Sequence, residues 1–142
     1  MQSPDVNVLV YASREEATDH VRYRRWLEEL LTSGESFAVS ELVLSGFLRL
    51  VTDGRIFRPA TPRPIALAFA QTVRNHPRCV VLRPMEQHWE IFVRLCETTA
   101  ATGKLVADAY QAALAIEHRC EWVTNDRDFA RFPGLRWRHP FL

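Results

Sequence analysis

Residues 105–128, LVADAYQAALAIEHRCEWVTNDRD, contain one complete helix–strand unit. The alanine-rich stretch 105–118 predicts a helix, because alanine has the highest helix propensity of all residues. The short apolar run at 122–124 predicts a buried strand. The unit contains three aspartates, one early in the helix and two shortly after the strand: Asp108, Asp126 and Asp128. A helix that leads into a short buried strand is typical of an α/β fold with a parallel sheet.

The rest of the chain repeats this alternation. Short apolar runs predict further strands at 37–39, 79–82 and 135–137, and helical periodicity predicts helices over 17–33, 40–51, 62–75 and 86–101. The opening segment predicts a very short strand that ends at Asp5 or Val6, followed by a helical turn through Leu9. Thr61 followed by Pro62 is typical of a helix N-cap with a first-turn proline. We therefore predict an α/β fold in which residues 1–142 form one domain.

Composition and cysteine usage exclude several classes of protein. The formal net charge is +1, and the three cysteines (Cys79, Cys96 and Cys120) are widely spaced, with no CxxC pair. This pattern fits neither a disulfide framework nor a zinc site, so we expect reduced thiols and a cytoplasmic protein. No apolar run approaches the roughly 18 residues of a membrane span, and the N-terminus does not resemble a signal peptide. We therefore expect no membrane partner.

Arginine is concentrated in the middle of the chain. Seven arginines lie between positions 49 and 83, where Asp53 is the only acidic residue, and Lys104 is the only lysine of the whole chain. Arginine binds phosphate oxygens with a planar, two-pronged geometry, which favours a surface that faces phosphates. A GC-rich genome, whose codons favour arginine, together with a solvated surface explains the pattern equally well. The arginines alone do not separate these interpretations.

Acidic and hydroxyl residues follow the predicted strands. In an open parallel sheet, ligands bind beyond the carboxyl ends of the strands. These positions hold Asp5, Ser40, Glu41, Thr124, Asp126 and Asp128, and Asp108 lies in an early turn of the alanine-rich helix. Each residue alone has a simpler role as a helix cap or as a charge that complements the helix dipole. Taken together, several carboxylates at one sheet edge would repel one another, which predicts a bound cation.

The residue types select the chemistry of this predicted site. Carboxylate oxygens alone suit Mg²⁺ or Mn²⁺ rather than zinc, and bound Mg²⁺ would polarise a phosphodiester and activate a water molecule. The five histidines are scattered and form no HxH or HxxxH pair. The sequence contains no GxSxG motif and no phosphate-binding glycine loop, which argues against a serine hydrolase and a nucleotide-cofactor enzyme.

Four segments together resemble a known family. They are DVNVLVYA at 5–12, SELVLSGFLR at 40–49, KLVADA at 104–109 and VTNDRDF at 123–129. Their order and spacing resemble those of PIN-domain proteins, and most closely the VapC toxins of bacterial type II toxin–antitoxin systems. No single segment is specific, but the resemblance extends over essentially the whole chain.

The resemblance implies both a fold and an activity. The fold would be a PIN-like three-layer α/β/α sandwich around a short central parallel sheet. The activity would be that of an endoribonuclease toxin that depends on Mg²⁺, with Mn²⁺ as a possible substitute, and that cleaves RNA, often tRNA. The resemblance also implies a homodimer and a VapB-type antitoxin whose tail enters the active site.

The resemblance also assigns roles to individual residues. Asp5, Asp108 and Asp126 match the family's catalytic, metal-binding acids, and Asp128 matches a further carboxylate ligand. Asn7, Ser40 and Thr124 match polar residues that support these acids.

One position departs from the family pattern. Many members have a glutamate six residues after the serine that matches Ser40, whereas this chain has Gly46 there. We expect Glu41 to take over part of that catalytic role. The alternative is that Glu41 only complements the dipole at the start of its helix. Two other functions stay open. One is a catalytically weak PIN module that binds RNA or protein, and the other is a carboxylate-metal nuclease of DNA repair, which would require a DxD motif where residues 5–7 read DVN.

Overall fold

A five-stranded parallel sheet forms the centre of the computed structural model, which describes residues 1–142. The strands are β1 (Gln2–Pro4), β2 (Phe37–Ser40), β3 (Cys79–Leu82), β4 (Glu121–Val123) and β5 (Trp137–Arg138). Their order across the sheet is β3-β2-β1-β4-β5, and all four neighbouring pairs are parallel. The strand β1 therefore occupies the centre, between β2 and β4.

Helices connect the strands and cover both faces of the sheet. They are α1 (Val6–Ser13), α2 (His20–Thr32), α3 (Glu41–Val51), α4 (Arg63–Arg74), α5 (His88–Thr99) and α6 (Lys104–Glu117). The first two crossovers, through α1–α2 and α3–α4, move outward in one direction, whereas the third, through α5–α6, returns across β1 to β4. Because such crossovers are right-handed, the third places its helices on the opposite face. The predicted α/β/α sandwich is confirmed. None of the helices combines the length and apolar character needed to cross a bilayer.

The core is formed by apolar side chains of both the strands and the helices that cover them. Residues of β2 are buried along the whole strand, which is expected for a parallel strand covered by helices on both faces. The largest side chains of the core are fully or almost fully buried: Leu9, Phe37, Phe47, Leu95, Trp122 and Phe129. This packing holds the carboxyl ends of the strands in fixed relative positions.

Two local features differ from the sequence-based predictions. Helix α1 continues through Ser13 instead of ending near Leu9, because Val8, Leu9 and Val10 are all buried against the rest of the protein. Helix α4 begins at Arg63, and Thr61 does not cap it. The Thr61 hydroxyl instead accepts a hydrogen bond of 3.0 Å from Nη1 of Arg14. That guanidinium is buried, so it requires acceptors from the preceding loop.

Candidate active site

The chain reverses its direction of sheet growth at β1. From β1 the chain adds β2 and β3 on one side and then returns to add β4 and β5 on the other. In open α/β sheets a crevice forms at this switch point, beyond the carboxyl ends of the two strands. Asp5 follows β1 directly, and Asp126 lies three residues beyond Val123, the last residue of β4. Both predicted acids therefore lie at the crevice.

Both acids are positioned by helix capping. Asp5 is the N-cap of α1, and its Oδ1 accepts a hydrogen bond of 2.6 Å from the backbone N–H of Val6. Asp126 is the N-cap of a 3-10 helix (Arg127–Arg131), and its Oδ1 accepts a bond of 2.9 Å from the N–H of Asp128. Aspartate is a preferred N-cap residue because its short side chain reaches these backbone donors. Capping and site formation thus use the same side chains.

A buried threonine connects the two acids. The hydroxyl of Thr124 donates a hydrogen bond of 2.7 Å to Oδ2 of Asp5 and accepts one of 3.0 Å from the backbone N–H of Asp126. The amide of Asn7 also donates to Oδ2 of Asp5, at 3.3 Å. These bonds orient the Asp5 carboxylate from two sides, in agreement with the supporting positions that the resemblance gives Thr124 and Asn7.

Helix α6 contributes the third acid and a cation. Nζ of Lys104 lies 3.3 Å from Oδ2 of Asp108 and 3.1 Å from Oδ2 of Asp126. The two carboxylates therefore lie on either side of one ammonium group. The side chain of Lys104 is 75 % exposed, so it is free to move away from them.

The three predicted acids line one cavity of about 380 Å³. The other polar residues of its lining are Asn7, Ser45, Arg49, Lys104 and Gln111. Arg49 makes no hydrogen bond or ion pair and lines the cavity as an exposed cation. The cavity thus combines carboxylates with two positively charged side chains.

The pKa values of the three acids shift in different directions. Burial raises the pKa of Asp5 from its ordinary 3.8 to about 6, against the lowering effect of the hydrogen bonds from Thr124 and Val6. Burial also raises the pKa of Asp108, although Lys104 opposes the shift. Burial acts to raise the pKa of Asp126 as well, but the N–H of Asp128 and the ammonium of Lys104 lower it overall. Asp126 therefore retains its charge most readily of the three.

The oxygen atoms of the cavity residues are of the kind that bind divalent cations. Carboxylate oxygens are the ligands that Mg²⁺ and Mn²⁺ prefer. The buried Oδ1 of Asn7, which lines the same cavity, has no hydrogen-bond donor and so remains available to a cation or its water. In the present side-chain positions no three acidic, histidine or cysteine residues converge into a metal-binding set. A cation would therefore need Lys104 to leave its position between Asp108 and Asp126.

The remaining predicted site residues lie outside this cavity. Asp128 is exposed, and only its backbone N–H interacts with Asp126. Ser40 is buried as the N-cap of α3, and its hydroxyl donates a bond of 3.1 Å to Oε1 of Gln111. Glu41 does not point towards the acids, because its Oε2 lies 2.8 Å from Nη2 of Arg74 on α4. The structure thus does not bring Glu41 together with Asp5, Asp108 and Asp126.

Gly46 lies in the wall of the cavity. A Cβ atom at this position would lie 3.1 Å from Cγ2 of Val6 on α1, which is tighter than ordinary van der Waals contact. The glycine therefore allows α1 and α3 to approach closely beside Asp5.

Four polar lining residues were not predicted as site residues from the sequence: Ser45, Arg49, Lys104 and Gln111. Lys104 precedes Asp108 by four residues, a spacing that pairs side chains on a helix and that was available as a signal. Gln111 follows Asp108 by three residues and shares its face of α6 for the same reason. Arg49 carries no such local signal, because the packing of α3 beside α1 places it at the cavity.

Known proteins resemble this chain over nearly its whole length. The sequence model of the PIN domain matches residues 4–135. Ribonuclease VapC43 of Mycobacterium tuberculosis is 43 % identical, over 96 % of this chain and 92 % of the relative. Ribonuclease VapC25 of the same organism is 40 % identical, over 96 % of both chains.

Solved structures share the fold at lower sequence identity. The VapBC-1 structure from nontypeable Haemophilus influenzae superposes with a TM-score of 0.72 at 14 % identity, over 99 % of this chain and 98 % of that one. At this identity the likeness concerns the fold alone. The sequence matches decide the family, and the cavity at the switch point holds the acids expected from its motifs. The chain therefore belongs to the PIN-domain family and, within it, to the VapC ribonucleases.

Proposed function

We propose that this chain is a metal-dependent endoribonuclease toxin of a VapBC-type toxin–antitoxin system. The observation that carries the proposal is the convergence of Asp5, Asp108 and Asp126, from three distant segments, on one cavity beside β1. The named ribonucleases at 40–43 % identity support the same reaction class. Mg²⁺ is the proposed metal, with Mn²⁺ as an alternative, because both bind all-oxygen sites.

Six polar residues in or beside the cavity have a proposed task. Asp5, Asp108 and Asp126 would hold the metal, which when bound supplies charge stabilisation of the phosphodiester and an activated water. Thr124 and Asn7 orient Asp5 through the hydrogen bonds described above. Arg49 has no acidic partner and would bind a non-bridging oxygen of the RNA phosphate.

A VapB-type antitoxin is the proposed protein partner. The structures that share the fold include VapBC complexes, among them VapBC2 of Rickettsia felis. The cavity already accommodates an ammonium group between two carboxylates, which is the charge that a basic side chain of an antitoxin tail would present. We also propose that the toxin is a homodimer, which size-exclusion chromatography with light scattering would test.

Site-directed variants test the nuclease proposal. We expect Asp5→Asn and Asp108→Asn each to abolish metal-dependent cleavage of RNA by the purified protein, and a chelator to abolish cleavage by the unmodified chain. Asp53→Asn is the matched control, because Asp53 pairs with Arg55 and does not line the cavity. Cleavage that persists in the double variant Asp5→Asn, Asp108→Asn would remove these residues from the mechanism.

A catalytically weak RNA-binding module is the second candidate. It is favoured by the absence of a carboxylate at Gly46 and by the position of Lys104 between two of the three acids. Under this alternative the protein would bind RNA and leave it intact at saturating Mg²⁺ and Mn²⁺. Metal-dependent cleavage that disappears in Asp108→Asn would exclude it. No observation favours a nuclease of DNA repair.

A further inference from the structure

A second cleft lies beside the candidate active site, at the edge of the sheet formed by β5. Its volume is about 650 Å³. The lining consists of Arg22, Arg127, Ala130, Trp137, Arg138, His139, Phe141 and Leu142, and it includes no acidic side chain. None of these residues belongs to the carboxylate cavity. The cleft therefore requires an explanation of its own.

The cleft and the carboxylate cavity share one edge of the sheet. Arg127 directly follows Asp126 and begins the 3-10 helix after β4, and His139 directly follows β5, the neighbouring strand. Because β4 and β5 are parallel, their carboxyl ends lie side by side, about 4.8 Å apart. A polymer bound at Asp126 would thus reach the cleft by passing along the ends of these two strands.

Two arginines of the cleft have no acidic partner. Arg22 and Arg127 are exposed and form no ion pair or hydrogen bond, and the guanidinium of Arg22 lies 3.9 Å from the centroid of the Phe141 ring. Arg138 differs, because its guanidinium donates to Glu121 and Gln2. Arg22 and Arg127 also lower the pKa of His139, after the larger effect of its burial and against the opposing effect of Asp19, so both guanidinium groups lie near this imidazole.

Arginines without an ion pair, together with aromatic rings, indicate the chemistry of the ligand. Guanidinium groups bind phosphate oxygens, and aromatic rings offer a surface on which bases stack. Trp137 is partly exposed in the same cleft, and so is Phe141, whose ring packs against Arg22 and His139. An acidic peptide would use the arginines but would have less use for the aromatic lining. Single-stranded nucleic acid uses both features.

We propose that this cleft is a flanking subsite that binds the single-stranded RNA next to the cleaved bond, with Arg22 and Arg127 each contacting a phosphate. The inference rests on the proposed ribonuclease function, which it extends from the carboxylate cavity to the neighbouring nucleotides. The RNA would have to be single-stranded where it passes along the carboxyl ends of β4 and β5. The subsite would therefore select which unpaired segment of a folded RNA reaches Asp5, Asp108 and Asp126.

The test measures RNA binding without cleavage. The full chain is titrated, in a chelator, against a fluorescently labelled oligouridylate of about eight nucleotides, within the range of single-strand site sizes. Binding is followed by fluorescence anisotropy at several salt concentrations. For single strands, each phosphate contact contributes about 0.7 to the slope of log K against log salt concentration. We expect Arg22→Gln, Arg127→Gln to reduce the slope by about 1.4.

Matched variants separate a local contact from a change in net charge. Arg78→Gln, Arg83→Gln removes the same charge next to β3, at the opposite edge of the sheet, and we expect the unmodified slope from it. Arg22→Lys, Arg127→Lys keeps both charges and should retain most of the slope. The fold of each variant is checked by circular dichroism.

Three outcomes would overturn the inference. The first is an equal change of slope in both glutamine double variants. The second is an unmodified slope in Arg22→Gln, Arg127→Gln. The third is unmodified RNA binding in that variant together with loss of binding to oligoglutamate, which would assign the cleft to an acidic peptide. If the unmodified chain neither binds nor cleaves RNA under any metal condition, the proposed ribonuclease function itself fails.

Discussion

Asp5 has two opposing roles in the metal-free protein. Its Oδ1 caps α1, and its Oδ2 receives hydrogen bonds from Thr124 and Asn7. Burial of the Asp5 side chain raises its pKa to about 6, so the fold favours the protonated form of this side chain. The capping function stabilises the fold, whereas the buried charge at neutral pH opposes it. Binding sites commonly retain such locally unfavourable groups because the ligand compensates for them.

The raised pKa of Asp5 predicts a pH-dependent stability of the metal-free protein. Between about pH 4 and pH 6 the folded state binds more protons than the unfolded state, so the free energy of unfolding falls as the pH rises. The shift from 3.8 to about 6 corresponds to about 3 kcal/mol, all of it lost above pH 6. Asp5→Asn keeps an N-cap residue and should therefore become more stable than the unmodified chain at pH 8, but not at pH 4.

Urea denaturation in a chelator at pH 4, 6 and 8 measures this difference. Glu35→Gln changes an exposed carboxylate between α2 and β2 that forms no ion pair, and this variant should follow the pH dependence of the unmodified chain. A stability difference between Asp5→Asn and the unmodified chain that is the same at all three pH values would contradict the prediction.

Lys104 and a divalent cation compete for the same two carboxylates. Removing the ammonium from between Asp108 and Asp126 should tighten metal binding by roughly fivefold, the size of a Coulomb interaction between exposed charges about 4 Å apart. Binding of Mn²⁺ to Lys104→Gln, measured by electron paramagnetic resonance without RNA, tests this. Arg49→Gln removes a charge from the same cavity without touching a carboxylate. Equal tightening in both variants would indicate a general charge effect instead.

Glu41 is expected to be dispensable for metal use. Its carboxylate pairs with Arg74 at 2.8 Å, and it does not line the carboxylate cavity. We predict that Glu41→Gln and the unmodified chain give superimposable curves of cleavage rate against Mg²⁺ concentration. The loss of an exposed ion pair should change the free energy of unfolding by less than about 1 kcal/mol. A lower rate at limiting Mg²⁺ that recovers with more metal would restore Glu41 as a ligand.

At the scale of elements, the approach of α1 to α3 forms one wall of the site. Gly46 permits the contact, because a Cβ there would lie 3.1 Å from Cγ2 of Val6. In a helix, Gly→Ala alone would be worth roughly 1 kcal/mol of added stability. In Gly46→Ala the new methyl group would clash with Cγ2 of Val6, and this clash should cancel the gain. The additional substitution Val6→Ala removes Cγ2 and should restore the gain.

A double-mutant cycle measures the coupling between these helices. We expect Gly46→Ala and Val6→Ala to show a favourable interaction energy of about 1 kcal/mol in urea denaturation. Gly54→Ala serves as a control, since no atom lies within 4 Å of the position of its Cβ. Additive effects of the two substitutions would show that α1 and α3 adjust to the extra methyl group without strain.

At the scale of the whole molecule, stability should be greatest in the centre of the sheet. The strand β1 pairs on both sides, and the backbone N–H of Asp5 donates to the carbonyl of Val123 at 2.9 Å. In contrast, β5 has two residues and one neighbour, and the 3-10 helix before it is short. The nuclease site therefore lies between a rigid strand and a weaker edge.

Amide hydrogen exchange should reveal this gradient. We expect the amides of Asp5 and Phe37 to exchange only through global unfolding, and those of Phe132 and Leu135 to exchange about a hundredfold faster through local opening. Exchange followed by NMR in a chelator provides the comparison. Uniform protection across the four amides would contradict it and would indicate that the edge unfolds together with the core.

The sequence by itself determined the α/β class, the approximate bounds of most elements, the family and the three acids that line the cavity. These properties follow from local patterns: apolar runs set the strands, helical periodicity sets the helices, and acids after strands fall at one edge of a parallel sheet. Only the tertiary structure decided that Glu41 turns to Arg74, that Lys104 lies between two acids, and that Arg22 and Arg127 share a cleft. Contacts between side chains of distant segments depend on how the helices pack on the sheet, and this packing cannot be inferred from the spacing of residues in the sequence.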